Sequence, residues 1–78
     1  MATLRLFASA REAAGRARDE VDGATVGDVL AQARTRYGQP FTALLPVCRV
    51  WVNGEPADEA TVVASSDEVA VLPPVSGG

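Results

Sequence analysis

Residues 25–40, TVGDVLAQARTRYGQP, carry the clearest structural signal in the sequence. Apolar side chains recur there with the spacing of a single helix face, at Val26, Val29, Leu30, Ala33 and Tyr37. Thr25 and Asp28 resemble a capping box with Asp in place of Glu. Gly38 is a helix-stop residue, and Pro40 prevents the helix from continuing. The stretch therefore predicts one long amphipathic helix with one face to bury.

Short runs on either side of this helix predict the strands. Residues 3–8 alternate with a period of two, and residues 16–21 predict a weaker antiparallel edge strand. Residues 47–52 and 68–72 are rich in the β-branched and aromatic residues of strands. Asn53-Gly54 predicts a type I′ hairpin turn into a short return over residues 55–57, where Pro56 removes a backbone donor. Residues 60–63 form one more short apolar piece.

Two minor helical segments complete the pattern. We expect Ser9 to cap a short helix over residues 10–14 that ends at Gly15. Residues 41–46 predict a helical turn or ordered loop, held by Phe41 and by Leu44 or Leu45.

Only one long helix is available to cover the sheet, so it must lie across one face. We therefore predict an α+β fold of the β-grasp type, with a mixed sheet whose first and last strands lie side by side. The predicted domain covers residues 1–72, and residues 73–78 form a flexible C-terminal tail.

The alternation of the strands also predicts which side chains remain on the uncovered sheet face. If Leu4 and Leu6 face the helix, then Phe7 points away from it, and the same reasoning places Trp51 and Leu72 on the open face. Three large apolar groups on an open face are typical of a docking surface. For Trp51 an equal alternative is a small secondary core under the 41–46 loop.

Composition excludes several classes of function. The chain has 78 residues and a net charge of −3, and all seven basic residues are arginine, without a basic cluster that would indicate nucleic-acid binding. No apolar run is long enough to span a membrane and no signal-peptide pattern is present, so we expect a cytoplasmic protein. One cysteine and no histidine exclude intramolecular disulfides, common zinc sites and His-based catalytic sets. We expect Cys48 to pack as a small apolar side chain, and we expect no catalysis by this chain alone.

The last six residues, Pro73-Pro74-Val75-Ser76-Gly77-Gly78, indicate the function. The prolines end the strand and stiffen the base of the tail. Six residues reach at most roughly 20 Å, enough to enter a partner's active site. Gly77 and Gly78 lack Cβ atoms, so they fit a narrow slot and leave the terminal carboxylate open to attack. We expect that carboxylate to become reactive only after adenylation, when a sulfur nucleophile would give a thiocarboxylate and an amine would give an amide.

Several motifs together resemble the MoaD/ThiS family of ubiquitin-like sulfur carriers, and within it the small subunits of molybdopterin synthase. They are Leu6-Phe7-Ala8, residues 11–15 (REAAG), Val52-Asn53-Gly54, residues 67–70 (DEVA) and the PPVSGG end. The resemblance covers the whole chain, and the tail is its most specific part. Ser76 departs from the Ala or Thr often found there, and Trp51 stands where smaller residues are usual.

The resemblance implies a pathway for the tail. Gly78 would be adenylated with ATP by a ubiquitin-activating-like adenylyltransferase and would receive sulfur from a sulfurtransferase. Residues 73–77 would then thread into the large subunit of molybdopterin synthase, where the thiocarboxylate donates sulfur to precursor Z. No cofactor or metal is expected on this chain, and Phe7 and Leu72 match partner-binding positions.

Three alternatives remain open at this stage. The tail also fits a thiocarboxylate carrier for cysteine or thiamine synthesis. It fits a ubiquitin-like modifier that is joined to lysines of other proteins. The third alternative is a plain β-grasp binding module, for which Gly77 and Gly78 would be dispensable.

Overall fold

The computed structural model describes residues 1–74, in which five strands form one sheet with helices packed against it. The elements in chain order are β1 (Ala2–Leu6), α1 (Ala8–Ala14), β2 (Arg18–Val21), α2 (Val26–Tyr37), α3 (Phe41–Leu44), β3 (Arg49–Val52), β4 (Glu55–Pro56) and β5 (Glu68–Leu72). A 3₁₀ turn, Leu45–Val47, joins α3 to β3.

The order of the strands across the sheet is β2-β1-β5-β3-β4. The last strand, β5, therefore occupies the centre, parallel to β1 and antiparallel to β3. This confirms the predicted mixed sheet and the neighbouring first and last strands. The fold is the predicted α+β β-grasp arrangement.

The long helix forms as the sequence predicts. Its N-terminus is capped by Thr25, whose side-chain oxygen accepts a hydrogen bond from the Asp28 backbone N–H at 3.2 Å. The carboxylate of Asp28 accepts from the backbone N–H of Ala24, one residue before the position that a capping box would use. Gly38 follows the helix with a φ of 62°, a conformation that favours glycine.

The core lies between α2 and one face of the sheet. β1 and β5 supply Leu4, Leu6, Val69 and Val71, all of which are essentially inaccessible to solvent. They pack with the apolar side of α2, where Val26, Val29, Leu30 and Ala33 are buried. Each such side chain stabilises the fold by about 1.5–3 kcal/mol through burial alone.

The prediction for the first strand and short helix was wrong in its boundaries. β1 ends at Leu6, and α1 begins at Ala8 without a side-chain cap, so Ser9 does not cap the helix. Instead the Phe7 carbonyl accepts hydrogen bonds from the backbone N–H groups of Ala10 and Arg11, at 3.0 and 3.3 Å. The chain makes this abrupt change of direction by placing Ala8 at a φ of 49°, which is unusual for a residue with a Cβ.

The region after β3 was predicted correctly in part. Asn53 and Gly54 have φ angles of 50° and 84°, as a type I′ turn requires. The Asn53 side chain donates to Asp67 and accepts from the Glu68 backbone N–H, both at 2.9 Å. Residues 60–63 form no strand, since Val62 makes a single isolated bridge with Thr25.

Candidate functional site

The sheet face opposite α2 carries the candidate site, and we call it the open face. Strand register shows which side chains share it, because cross-strand partners point to the same side. One row across the sheet contains Arg18, Arg5, Ala70, Trp51 and Pro56. A second row, towards the end of β5, pairs Leu72 with Arg49. This register confirms that Trp51 and Leu72 lie on the open face.

Phe7 lies at the same end of the sheet as Leu72. Its backbone is extended and its N–H donates to the Val71 carbonyl at 3.3 Å, so it continues β1 by one residue and points away from buried Leu6. The side chain is 37% exposed. The guanidinium of Arg5 stacks over its ring, 5.3 Å from the centroid, and this cation–π contact orients the ring on the open face.

Trp51 and Leu72 are diagonal neighbours on adjacent strands, a relation that brings large side chains within reach of each other. Both side chains are half-buried. Trp51 does not belong to the core cluster or to the side chains that pack against it in residues 1–74, whereas Phe41 and Leu45 are buried in that core. Trp51 does line a cleft together with Leu45 and Pro46, so it adjoins the 41–46 segment without belonging to the core.

The base of the predicted tail begins at the same end of the open face. β5 ends at Leu72, beyond which Pro73 is half-buried and Pro74 is exposed. Pro73 thus leaves the centre of the sheet beside Phe7 and Leu72, the residues that the sequence predicts to dock a partner. Val75, Ser76, Gly77 and Gly78 lie outside the described residues, so their predicted roles in threading and chemistry remain predictions.

A polar cluster that was not predicted from the sequence links the edge strand β2 to α2. Asp19 accepts hydrogen bonds from the Tyr37 hydroxyl at 2.6 Å and from Arg36 at 2.8 Å, and Arg16 lies 3.2 Å away. Arg36 also donates to the Glu20 carbonyl at 2.9 Å. The side chain of Asp19 is only 12% exposed.

The cluster changes the acid–base properties of its members. Burial disfavours the charged form of Asp19, but the hydrogen bonds from Tyr37 and Arg36 outweigh it and lower the pKa of the carboxyl to about 2. Burial and the bond to Asp19 raise the pKa of the Tyr37 hydroxyl above its ordinary value. Both groups therefore keep one protonation state near neutral pH. Their role is to hold β2 against α2.

An open cleft of about 600 Å³ lies between α2 and the segment around β3 and β4. Cys48 lines it, and its thiol donates a weak hydrogen bond to the Leu44 carbonyl at 3.5 Å. Burial raises the pKa of this thiol, so little reactive thiolate forms at neutral pH. The position agrees with the packing role predicted for Cys48.

Within residues 1–74, no three acidic or cysteine side chains come together in a group that could hold a metal ion. Over the same residues, every helix is too short or too polar to cross a membrane.

Comparison with known proteins supports the fold described above, and the similarity extends over nearly the whole chain. The model of the ThiS family matches residues 4–78. Small archaeal modifier protein 1 of Haloferax volcanii is 39% identical over 84 residues, which cover 95% of this chain and 97% of that protein.

Solved structures show the same similarity. The solution structure of small archaeal modifier protein 1 from Methanosarcina acetivorans superposes with a TM-score of 0.87 at 29% identity, covering 99% of this chain and 95% of that one. A Pyrococcus furiosus protein assigned as molybdopterin converting factor subunit 1 gives a TM-score of 0.83 at 25% identity, with coverage of 95% and 97%. On these grounds, and with the β-grasp fold described above, the chain belongs to the ThiS family of small ubiquitin-like proteins.

Proposed function

We propose that this protein is a sulfur carrier for molybdopterin biosynthesis, in which Gly78 is adenylated, converted to a thiocarboxylate and used to donate sulfur to precursor Z. The observation that carries the proposal is the place where β5 ends. Central strand β5 ends at Leu72 beside exposed Phe7, so a partner bound at this end of the open face would lie next to the start of the tail at Pro73.

The pairing of β5 within the sheet determines where the tail begins. β5 is hydrogen-bonded on both sides, to β1 and to β3, so Leu72 has little freedom to move. Pro73 and Pro74 restrict the next two residues. The six residues from Pro73 to Gly78 reach at most roughly 20 Å, which allows the body to dock outside an active site while Gly78 lies inside it.

Each chemical step needs a partner. On an activating adenylyltransferase, a Gly78 carboxylate oxygen attacks the α-phosphorus of ATP, and the bond to the departing pyrophosphate breaks. The outer sulfur of a sulfurtransferase persulfide then attacks the acyl carbon and AMP leaves, which gives an acyl disulfide. A second thiol attacks the sulfurtransferase sulfur of that bond, forms a disulfide with it and releases the thiocarboxylate. The absence of a side chain on Gly78 keeps the carbonyl carbon accessible in both steps. The large synthase subunit supplies the site in which precursor Z accepts the sulfur.

The test is reconstitution with a molybdopterin synthase large subunit and precursor Z. The thiocarboxylated chain should convert precursor Z to molybdopterin, and the same chain with an ordinary carboxylate should not. If the thiocarboxylated chain binds the large subunit but transfers no sulfur to precursor Z, the molybdopterin assignment is wrong.

A second candidate is a protein modifier, supported by the 39% identity to small archaeal modifier protein 1. In that case an amine replaces the sulfur nucleophile, and Gly78 forms an amide with a lysine of another protein. This chain contains no lysine, so its side chains could not accept a second copy. Peptides in which a lysine carries the C-terminal fragment of this chain after Arg49, found in cells that express the wild type and missing when Gly78 is deleted, would favour this candidate.

A further inference from the structure

Within residues 1–74 the sheet has two edge strands, β2 and β4, and they differ in what they offer to another chain. β4 has only two residues, one of which is Pro56, a residue without a backbone N–H. β2 has four residues. An edge strand presents a row of unpaired N–H and C=O groups to which another strand can be added. The edge at β2 is therefore the one at which strand addition has to be controlled.

The register of β2 shows which backbone groups face this edge. The N–H of Leu6 donates to the carbonyl of Ala17 at 2.9 Å, and the rest of β1 pairs with β2 in the same antiparallel register. Hydrogen-bonded and non-hydrogen-bonded pairs alternate along an antiparallel ladder, so Asp19 turns its backbone groups towards β1. Arg18 and Glu20 consequently turn their backbone N–H and C=O groups towards the free edge.

Two side chains occupy the outward backbone groups of Glu20. Its N–H donates to Oδ1 of Asp19 at 2.9 Å, and its carbonyl accepts a hydrogen bond from the guanidinium of Arg36, also at 2.9 Å. Arg36 belongs to α2, on the covered face of the sheet, so its side chain reaches around the edge of β2. Oδ2 of Asp19 accepts from the same guanidinium at 2.8 Å and holds it in place. We call Asp19 and Arg36 the edge cap.

Without the edge cap, β2 would be complementary to itself. Two copies that pair antiparallel about Asp19 would place Arg18 of each copy directly opposite Glu20 of the other. Both residues face outwards, so each such pair could form two backbone hydrogen bonds. Each pair would also join opposite charges, which stabilises a cross-strand contact. The two Asp19 carboxylates would lie opposite each other, and their repulsion is a further obstacle to this pairing.

We infer that Asp19 and Arg36 close the free edge of β2 against strand addition by a second copy of this chain. The polar cluster thus does more than hold β2 against α2, since it also keeps the chain monomeric. The inference is independent of the proposed function, because it concerns the chain alone and backbone groups outside the tail.

The main test uses Asp19→Ala in the full-length chain. This change removes the acceptor of the Glu20 N–H, releases Arg36 and abolishes the repulsion between two Asp19 carboxylates. Glu12→Ala is the matched control, because it removes the same charge from an exposed residue of α1. Sedimentation equilibrium over roughly 0.01–1 mM measures the association of each chain, and we expect Asp19→Ala to dimerise at least roughly tenfold more tightly than the wild type and the control.

Two further variants locate the dimer and separate association from stability. Adding Arg18→Pro to Asp19→Ala removes an N–H that a dimer through β2 needs and that pairing with β1 does not use, so dimerisation should return to the wild-type level. Tyr37→Phe removes the 2.6 Å hydrogen bond to Asp19 but neither bond to Glu20, so it should remain monomeric even where its melting temperature falls.

Three results would overturn the inference. The first is an Asp19→Ala chain that is as monomeric as Glu12→Ala. The second is a dimer that persists after Arg18→Pro, which would place the contact elsewhere on the chain. The third is a Tyr37→Phe chain that dimerises as tightly as Asp19→Ala, which would make lost stability the cause of association.

Amide hydrogen exchange of the wild type tests the same point without a variant, and it decides the matter if Asp19→Ala does not fold. Arg18 and Glu20 both face the edge, but within residues 1–74 only the N–H of Glu20 has a side-chain acceptor. After correction for neighbouring side chains, we expect the Glu20 amide to exchange at least roughly tenfold more slowly than the Arg18 amide. Equal rates would show that the edge is open and that the inference is wrong.

Discussion

Asp19 provides a sharp test of how the edge strand is held. Replacing it by Asn removes the negative charge that Arg36 and Tyr37 contact, while it keeps the size of the side chain. The pKa of the carboxyl falls from an ordinary value of 3.8 to about 2 in the folded protein. At 1.36 kcal/mol per unit this would give an upper limit of about 2.4 kcal/mol. Since Arg36 is 41% exposed, solvent screening reduces the expected cost of Asp19→Asn at pH 7 to about 1–2 kcal/mol.

The sign of the pH dependence follows from the lowered pKa. A carboxyl with a lower pKa in the folded state contributes stability above the pKa of the unfolded chain, and this contribution disappears as the pH falls through the folded value. The difference in unfolding free energy between the wild type and Asp19→Asn should therefore be largest above pH 5 and should shrink between about pH 4 and pH 2. Urea unfolding followed by circular dichroism across this range measures it.

Two variants serve as controls for this experiment. Tyr37→Phe removes only the 2.6 Å hydrogen bond and should cost about 1 kcal/mol. Glu55→Gln neutralises an exposed carboxylate of β4 and should change stability by less than about 0.5 kcal/mol at any pH in the range. The reasoning is refuted if Asp19→Asn has the same small effect as Glu55→Gln at pH 7, or if its cost persists unchanged at pH 2.

Three further predictions concern the backbone and the docking residues. Gly23→Ala should destabilise the fold by about 1–3 kcal/mol, since a Cβ would lie 2.8 Å from the Val29 backbone nitrogen; an unchanged urea midpoint would contradict this. Ala8→Gly should stabilise the fold by up to about 1 kcal/mol, because Ala8 has a φ of 49°; a lower melting temperature would show that its Cβ contributes more than the strain costs. Phe7→Ser should weaken binding to the adenylating enzyme by at least about 1–2 kcal/mol in calorimetry, whereas Val62→Ser, at a 75% exposed residue on no predicted surface, should bind like the wild type. Equal affinities for these last two variants would remove Phe7 from the docking surface.

Local sequence patterns were sufficient to predict most of the fold. The stripe on α2 and the Asn53-Gly54 turn depend on contacts between residues close in sequence, and the structure confirms both. One long helix beside several strands predicted a β-grasp arrangement, in which the first and last strands are neighbours, and the strand order confirms it. The open-face positions of Trp51 and Leu72 followed from strand alternation alone.

The features that the sequence did not reveal depend on distant residues or on the backbone. Asp19 and Tyr37 are 18 residues apart, so no local pattern could show that they form a hydrogen bond. Ser9 was predicted to cap α1, but the backbone carbonyl of Phe7 accepts the hydrogen bonds at the start of the helix. Every residue type has a backbone carbonyl, so the sequence could not indicate this arrangement. The bend at Ala8 was not predicted, because alanine rarely adopts a positive φ.

The central claim is that Gly78 carries sulfur, and an intact mass measurement tests it most directly. The full-length chain is incubated with ATP, a sulfur donor and the adenylating enzyme, beside a variant that lacks Gly78. We predict that the wild type gains the mass difference between one sulfur and one oxygen atom, and that the variant gains nothing. An unchanged mass of the wild type, with an enzyme that modifies another family member in the same assay, would contradict the claim and favour a plain binding module.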